Sequence, residues 1–186
     1  MSLRAFLEFD ARLSDRLRVA EKPGLLRTLA VFFAHSGDSW FWGIGLAILW
    51  WLGSPASKSW SVFVVISILG LALTVLLIKF LVRRRRPEGD WGGIYRNTDP
   101  HSFPSGHAAR AFLLAILTTS LGPPWLALLL WIWAPLVSLA RVAMGVHYFS
   151  DVLAGVFIGI AGALLLLQIH EPLLVWLTRS TALLPI

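Results

Sequence analysis

Five apolar runs, at about residues 39–52, 60–82, 105–121, 125–146 and 152–169, confine this 186-residue chain to few folds. In hydrocarbon every backbone N–H and C=O must be satisfied within the protein, so apolar runs of this kind are read as helices. The first is short for a span unless it borrows flanking residues. The fourth contains Pro135, which predicts a kink. The fifth carries Gly155-x-x-x-Gly159 and then Gly162, small residues that let helices pack closely in lipid. Hydrophobic residues make up 57% of the chain, and its ten Trp and eleven Phe suit the aromatic belts of a membrane protein. The expected fold is an all-α, polytopic membrane helix bundle with five to six transmembrane helices, forming a single membrane-embedded domain over 1–186 with its core at 39–169.

The two ends read differently. Leu3, Phe6, Leu13 and Leu17 recur at helical spacing among Arg4, Arg12, Arg16, Arg18 and several acids, which predicts an amphipathic helix on the membrane surface. Pro23-Gly24 ends it. Leu25 to Ala34 is too short to span and reads as a second interfacial or re-entrant helix, so residues 1–37 form an interfacial N-terminal segment. Ser36-Gly37-Asp38 reads as a turn with an N-cap. The tail from His170 holds two prolines and is short for a span; a sixth helix could come from either end. No basic leader precedes an apolar core, so no cleavable signal peptide is expected. The absence of Cys excludes disulfides, thiol nucleophiles and thiolate metal sites. The net charge of +6 lies between apolar runs, which points to anionic headgroups or a phosphate substrate rather than nucleic acid.

Alternating spans carry a geometric consequence. The second run ends, the third begins, the fourth ends and the fifth begins on one side of the membrane. The polar clusters Lys79 to Pro87, His101 to His107 and Arg141 to Asp151 therefore converge at one face. Lys79 lies inside an apolar run, and an intramembrane cation marks a functional site unless it merely snorkels. At 100° per residue Lys79, Arg83 and Arg86 share a stripe, and Pro87 stops the helix. Pro104-Ser105-Gly106-His107 opens the third run. A helix start offers unpaired N–H groups to an anion, Ser105 can add a hydroxyl or simply cap, and Gly106 permits close approach. His107 can donate a proton to a leaving oxygen, although an ordinary Ser cap beside a bystander His fits the same letters. His147 and Asp151, four apart, would meet if one helix carries both, fixing the tautomer and freeing the other ring nitrogen as a nucleophile. Gly145 lets Arg141 leave that helical phase. Two histidines, several cations and a helix start around one point make a phosphoryl-transfer site by content.

Lys79-x6-Arg86-Pro87, Pro104-Ser105-Gly106-His107 and Arg141-x5-His147-x3-Asp151 together resemble the three signature motifs of the type 2 phosphatidic acid phosphatase superfamily. That superfamily also holds vanadium haloperoxidases and bacterial acid phosphatases. One departure is Ala140, where the third motif usually has Ser. The resemblance implies a metal-independent phosphatase without a cofactor. His147 would attack phosphorus to form a phosphohistidine, Asp151 would orient it, and His107 would protonate the leaving group and then activate water. Lys79, Arg86, Ser105, the Gly106 N–H and Arg141 would hold the phosphoryl oxygens. The helical stripe adds Arg83 as a candidate, and Arg110, one turn beyond His107, could reach a second phosphate or headgroup. Asp90, Asp99 and His101, in a loop expected to cover the site, are too irregularly spaced for a metal. His35 and His170 fall outside the motifs and read as interfacial.

The implied substrate is a phosphate or diphosphate on a lipid tail, such as undecaprenyl diphosphate, phosphatidate or phosphatidylglycerophosphate, in an integral protein of the bacterial inner membrane. A haloperoxidase fits the same motifs but not the spans. A membrane anion- or lipid-binding or transport protein is the non-catalytic alternative. The balance of Lys and Arg favours a cytoplasmic site, whereas the resemblance implies the periplasmic face.

Overall fold

A computed structural model describes residues 2–19, 21–89, 91 and 99–180, with side chains as far as Val175. Seven helices stand in this described part: α1 Leu3–Leu17, α2 Leu25–Ser36, α3 Ser39–Leu52, α4 Pro55–Val82, α5 Gly106–Leu121, α6 Pro124–Ala143 and α7 Phe149–Ser180. α4 and α6, with α7 as far as Val175, are long and apolar enough to cross a membrane. At 1.5 Å per residue α3 and α5 reach only about 21 and 24 Å, short of a hydrocarbon core of roughly 30 Å.

Local chemistry sets the helix ends. Ser54 and Ser105 cap α4 and α5 by accepting from Ser57 N and Ala108 N, and Pro55 and Pro124 occupy first helical positions. α4 stops because Arg83 turns left-handed, at φ 51°. The helical stripe expected to carry Lys79, Arg83 and Arg86 therefore ends after Lys79. Arg86 is reached along an extended segment in which Arg85 pairs with His101. Pro135 lies inside α6, and one further expectation changes: α7 continues past Ile169 and through Pro172 to Ser180.

α5 lies at the centre. Ala108, Ala109, Ala111, Leu113, Leu114, Ala115 and Leu117 are fully buried, and α5 packs chiefly against α6 and α7. The approach of α7 is backbone to backbone: a Cβ on Gly155 would sit 2.4 Å from Ser105 O, and one on Gly159 would sit 2.1 Å from Ala109 O. This seam fixes the start of α7 beside the start of α5. On the outside, Leu69, Leu73 and Leu77 of α4, Leu128 and Ile132 of α6, and Phe157 and Leu165 of α7 are exposed. Such an apolar surface suits lipid rather than water, and the protein is an integral membrane protein.

α1 is amphipathic, as expected, but it turns a polar pair inward. Leu3, Phe6, Leu7 and Phe9 are exposed while Asp10 and Ser14 are buried. Those two side chains cap α7 from another helix: Asp10 Oδ1 accepts from Ser150 N at 2.9 Å and Ser14 Oγ from Phe149 N at 2.8 Å. They satisfy donors that a helix start leaves open. α2 packs on α6 through Ala30 and Ala34.

Candidate active site

The chain ends of four helices meet around a cavity of about 300 Å³ lined by Lys79, Arg86, Gly106, His107, Arg141 and His147. These are the residues that alternation of the spans brought to one face. An apolar wall of Ile68, Leu71, Ala72, Val75 and Leu76 on α4 continues from the polar end.

His147 lies in the connection between α6 and α7, not on one helix with Asp151. Gly145, at φ +65°, makes the bend that frees it from the phase of α6. Asp151 sits in the first turn of α7, and its Oδ2 is 3.6 Å from His147 Nδ1. That is ion-pair range and longer than a hydrogen bond. The tautomer follows from the other nitrogen. Arg86 Nη1 lies 3.2 Å from His147 Nε2, and a guanidinium can only donate, so Nε2 accepts. The neutral ring then carries its proton on Nδ1, towards Asp151. Burial, helped by the charges of Arg86 and Arg141, holds the imidazole well below its usual range. His147 is therefore neutral at pH 7, with its Nε2 lone pair facing the cavity cations.

Asp151 is fixed from two other directions. Its Oδ2 accepts from Tyr148 N at 2.9 Å and its Oδ1 from Arg84 Nη1 at 2.7 Å. Arg84 also donates to Asp10 Oδ2 at 2.7 Å and lies 3.9 Å over the Tyr148 ring. A carboxylate buried on this scale needs such partners. Arg84 and Asp10 were not singled out from sequence: one is the second member of a run of four arginines, the other one acid among several on a surface helix.

Arg86 donates to Val146 O at 2.8 Å and to Asp99 O at 2.7 Å. Asp99 Oδ2 accepts from both Arg86 Nη2, at 2.8 Å, and Lys79 Nζ. Burial alone would raise the Asp99 carboxyl, but its hydrogen bond and charge pairing with Lys79 hold it below the usual range. This carboxylate stands where Lys79 and Arg86 would grip an oxyanion. Asp99→Asn is expected to tighten inhibition by orthophosphate about tenfold, equivalent to ~1.4 kcal/mol, as read from the competitive inhibition constant. Asp90 and much of the loop expected to cover the site lie outside the described residues.

Ser105 and Gly106 open α5 as expected, with Ser105 fully buried and its N–H donating to Asp151 O at 2.9 Å. His107 follows, and its Nε2 is 2.8 Å from Asp38 Oδ1. Asp38 occupies the cap position of α3 but makes no side-chain cap bond; its carboxylate goes to His107 and His35 instead. A cap-like Ser-Gly-Asp turn gives no sign of that partner. Arg110 reaches the cavity wall, yet its Nη groups donate to Gly37 O, at 2.6 Å, and to Ser39 Oγ. Arg83 points away: it is exposed and its Nε donates to Phe80 O at 2.8 Å.

The comparisons with known proteins point to one family. The PAP2 superfamily profile matches residues 59–174. The decaprenylphosphoryl-5-phosphoribose phosphatase of Mycobacterium tuberculosis is 36% identical over 146 residues, covering 76% of this chain and 78% of that protein. The probable lipid phosphate phosphatase beta of Arabidopsis thaliana is 29% identical over 192 residues, covering 87% and 89%. The crystal structure of LpxE from Aquifex aeolicus superposes with a TM-score of 0.65 at 25% identity, over 87% of this chain and 94% of that one. The matched span holds all three polar clusters, and the helices bring them into one cavity; the chain belongs to the PAP2 superfamily.

Proposed function

We propose that this protein hydrolyses a phosphate monoester or diphosphate on a membrane lipid, without a metal, through a phosphohistidine on His147. The observation that carries the reading is the neutral His147 with its Nε2 lone pair set among Arg86, Arg141 and Lys79 in one cavity. Nε2 attacks phosphorus, and the bond from phosphorus to the leaving oxygen breaks. His107 gives that oxygen its proton. Water then attacks the phosphohistidine while His107 takes the proton back, and orthophosphate leaves. Asp151 offsets the charge that His147 gains. Lys79, Arg86, Arg141, Ser105 and the Gly106 N–H hold the phosphoryl oxygens, supplying the positive charge that phosphoryl transfer requires.

The apolar wall from Ile68 to Leu76 favours a lipid tail entering sideways between helices. Undecaprenyl diphosphate, phosphatidate and phosphatidylglycerophosphate are the substrates to offer. Decaprenylphosphoryl-5-phosphoribose, in the name of the mycobacterial relative, is a fourth. The protein sits as one domain in the bacterial inner membrane, with α1 and α2 at the interface and the site on the periplasmic face. Phosphate release by the purified protein in detergent, with EDTA present, tests it. Release from one of these lipids that survives EDTA is expected; binding without release would favour the anion-binding alternative.

A further inference from the structure

Two histidines flank one carboxylate beside the cavity. Asp38 Oδ1 lies 2.8 Å from His107 Nε2, and Asp38 Oδ2 lies 3.2 Å from Nδ1 of the half-exposed His35. The turn that carries Asp38 is held tightly. Arg110, one helical turn beyond His107, donates to Gly37 O and to Ser39 Oγ on either side of it. A Cβ on Gly37 would come within 3.0 Å of His107 Cδ2 and 2.9 Å of Val137 Cγ1, so the turn lies against the imidazole itself. Burial would raise the Asp38 carboxyl, but hydrogen bonds and charge from His107 and His35 outweigh it and bring it down to about 2. Asp38 is thus ionised at neutral pH and can only accept.

We infer that Asp38 is the positioning residue that keeps His107 the proton donor of the site; the inference rests on the phosphatase reading above. An ionised carboxylate must take the proton of Nε2, which turns Nδ1 to the reacting oxygen. It also favours the imidazolium form. That support is needed because burial, and after it the charges of Arg141 on α6 and Arg110 on its own helix, hold the His107 imidazole well below its usual range, while its hydrogen bond and charge pairing with Asp38 pull it back up. Lys79 and Arg86 add positive charge to the same cavity, with Asp99 on both of them and the neutral His147 beside them. Among the described residues, Asp38 is the carboxylate in contact with His107. The two histidines then work in different protonation states: neutral His147 offers its Nε2 lone pair to phosphorus, and His107 donates as the imidazolium, with Nε2–H held by Asp38 and Nδ1–H given to the leaving oxygen.

The test separates proton donation from simple packing. Asp38→Asn and Asp38→Glu are assayed as full chains in detergent on two substrates with the same tail, an alkyl phosphate and a nitrophenyl phosphate. The alkyl leaving group needs a proton; the nitrophenyl one leaves without it. Asp38→Asn is expected to lower kcat/KM on the alkyl phosphate about 30- to 100-fold and on the nitrophenyl phosphate less than about threefold. The alkaline limb of the alkyl profile moves to lower pH by about one unit, and Asp38→Glu recovers part of both effects. Equal losses on the two substrates would overturn the inference. A second readout does not need turnover: modification of His107 by diethyl pyrocarbonate, followed by mass spectrometry across pH. Its midpoint is expected to fall about one unit in Asp38→Asn, and an unchanged midpoint overturns the inference even in a poorly folded variant. Absence of phosphate release from the wild type would defeat the phosphatase reading instead, while the midpoint still decides the role of Asp38.

Discussion

His147→Ala is expected to lower phosphate release roughly 10⁴-fold or more, to the level of a preparation without enzyme. The size follows from its role. If His147 only bound phosphate, Lys79, Arg86 and Arg141 would still hold the substrate, and the loss would be closer to tenfold. As the nucleophile, its removal deletes the bond-forming atom, and the other motif histidine is held by a different carboxylate. His107 gives its Nε2 proton to Asp38. Binding should change far less than turnover, because the phosphate grip is left in place. Orthophosphate protection against heat measures that grip in the mutant. A companion result is expected with His107→Gln and an aryl phosphate: the first step proceeds, the second lacks its base, and label accumulates on His147. Turnover that persists in His147→Ala would move the nucleophile elsewhere, and protection without turnover in both proteins would favour a binding protein.

Much of this site was legible because its parts are local in sequence and the spans alternate. Lys79, Ser105 to His107 and Arg141 to Asp151 each sit at a helix end. Once the apolar runs are counted, their common face follows without knowledge of packing. What was not legible depends on contacts between distant segments. Asp38 resembled a helix cap, because Ser-Gly-Asp before an apolar run is the usual letter pattern for one. Its link to His107 spans 69 positions and exists only because α2, α3 and α5 share an end. Nothing in the amphipathic pattern of residues 3–17 marks Asp10 and Ser14, yet they cap α7 from 135 to 140 positions away. Arg86 lines the cavity, but not by sharing a helical stripe with Lys79 and Arg83. Helical phase was extrapolated through Arg83, and nothing in four consecutive arginines marks which one turns left-handed. Pro172 misled in a similar way, since a proline in a membrane helix can be tolerated where neighbouring helices or Ser and Thr side chains satisfy the freed carbonyl.

Gly159→Ala is expected to destabilise the protein more than any other single-methyl change, by about 4 kcal/mol or more, which is exceptional for a point substitution. The added carbon would lie 2.1 Å from Ala109 O, 2.9 Å from Ala109 C and 3.0 Å from Ala109 Cα, all of them backbone. No rotamer relieves such a clash, so α7 must move off α5. Gly155→Ala meets Ser105 O at 2.4 Å, at the cap of the helix that carries His107. That variant should therefore lose activity at temperatures where it remains folded. Gly162 supplies the control. Its added carbon would find Leu71 Cδ1 at 3.6 Å and Leu113 Cδ1 at 3.9 Å, ordinary contact distances. Relief of glycine's helix penalty, about 0.8–1 kcal/mol, then makes Gly162→Ala neutral or slightly stabilising. Thermal midpoints of the three variants in one detergent give the order. If Gly159→Ala melts with Gly162→Ala, the close seam between α5 and α7 does not exist as described. In that case the geometry that sets His147 and Asp151 beside Ser105 loses its structural basis, because that seam is what brings the second and third motifs together.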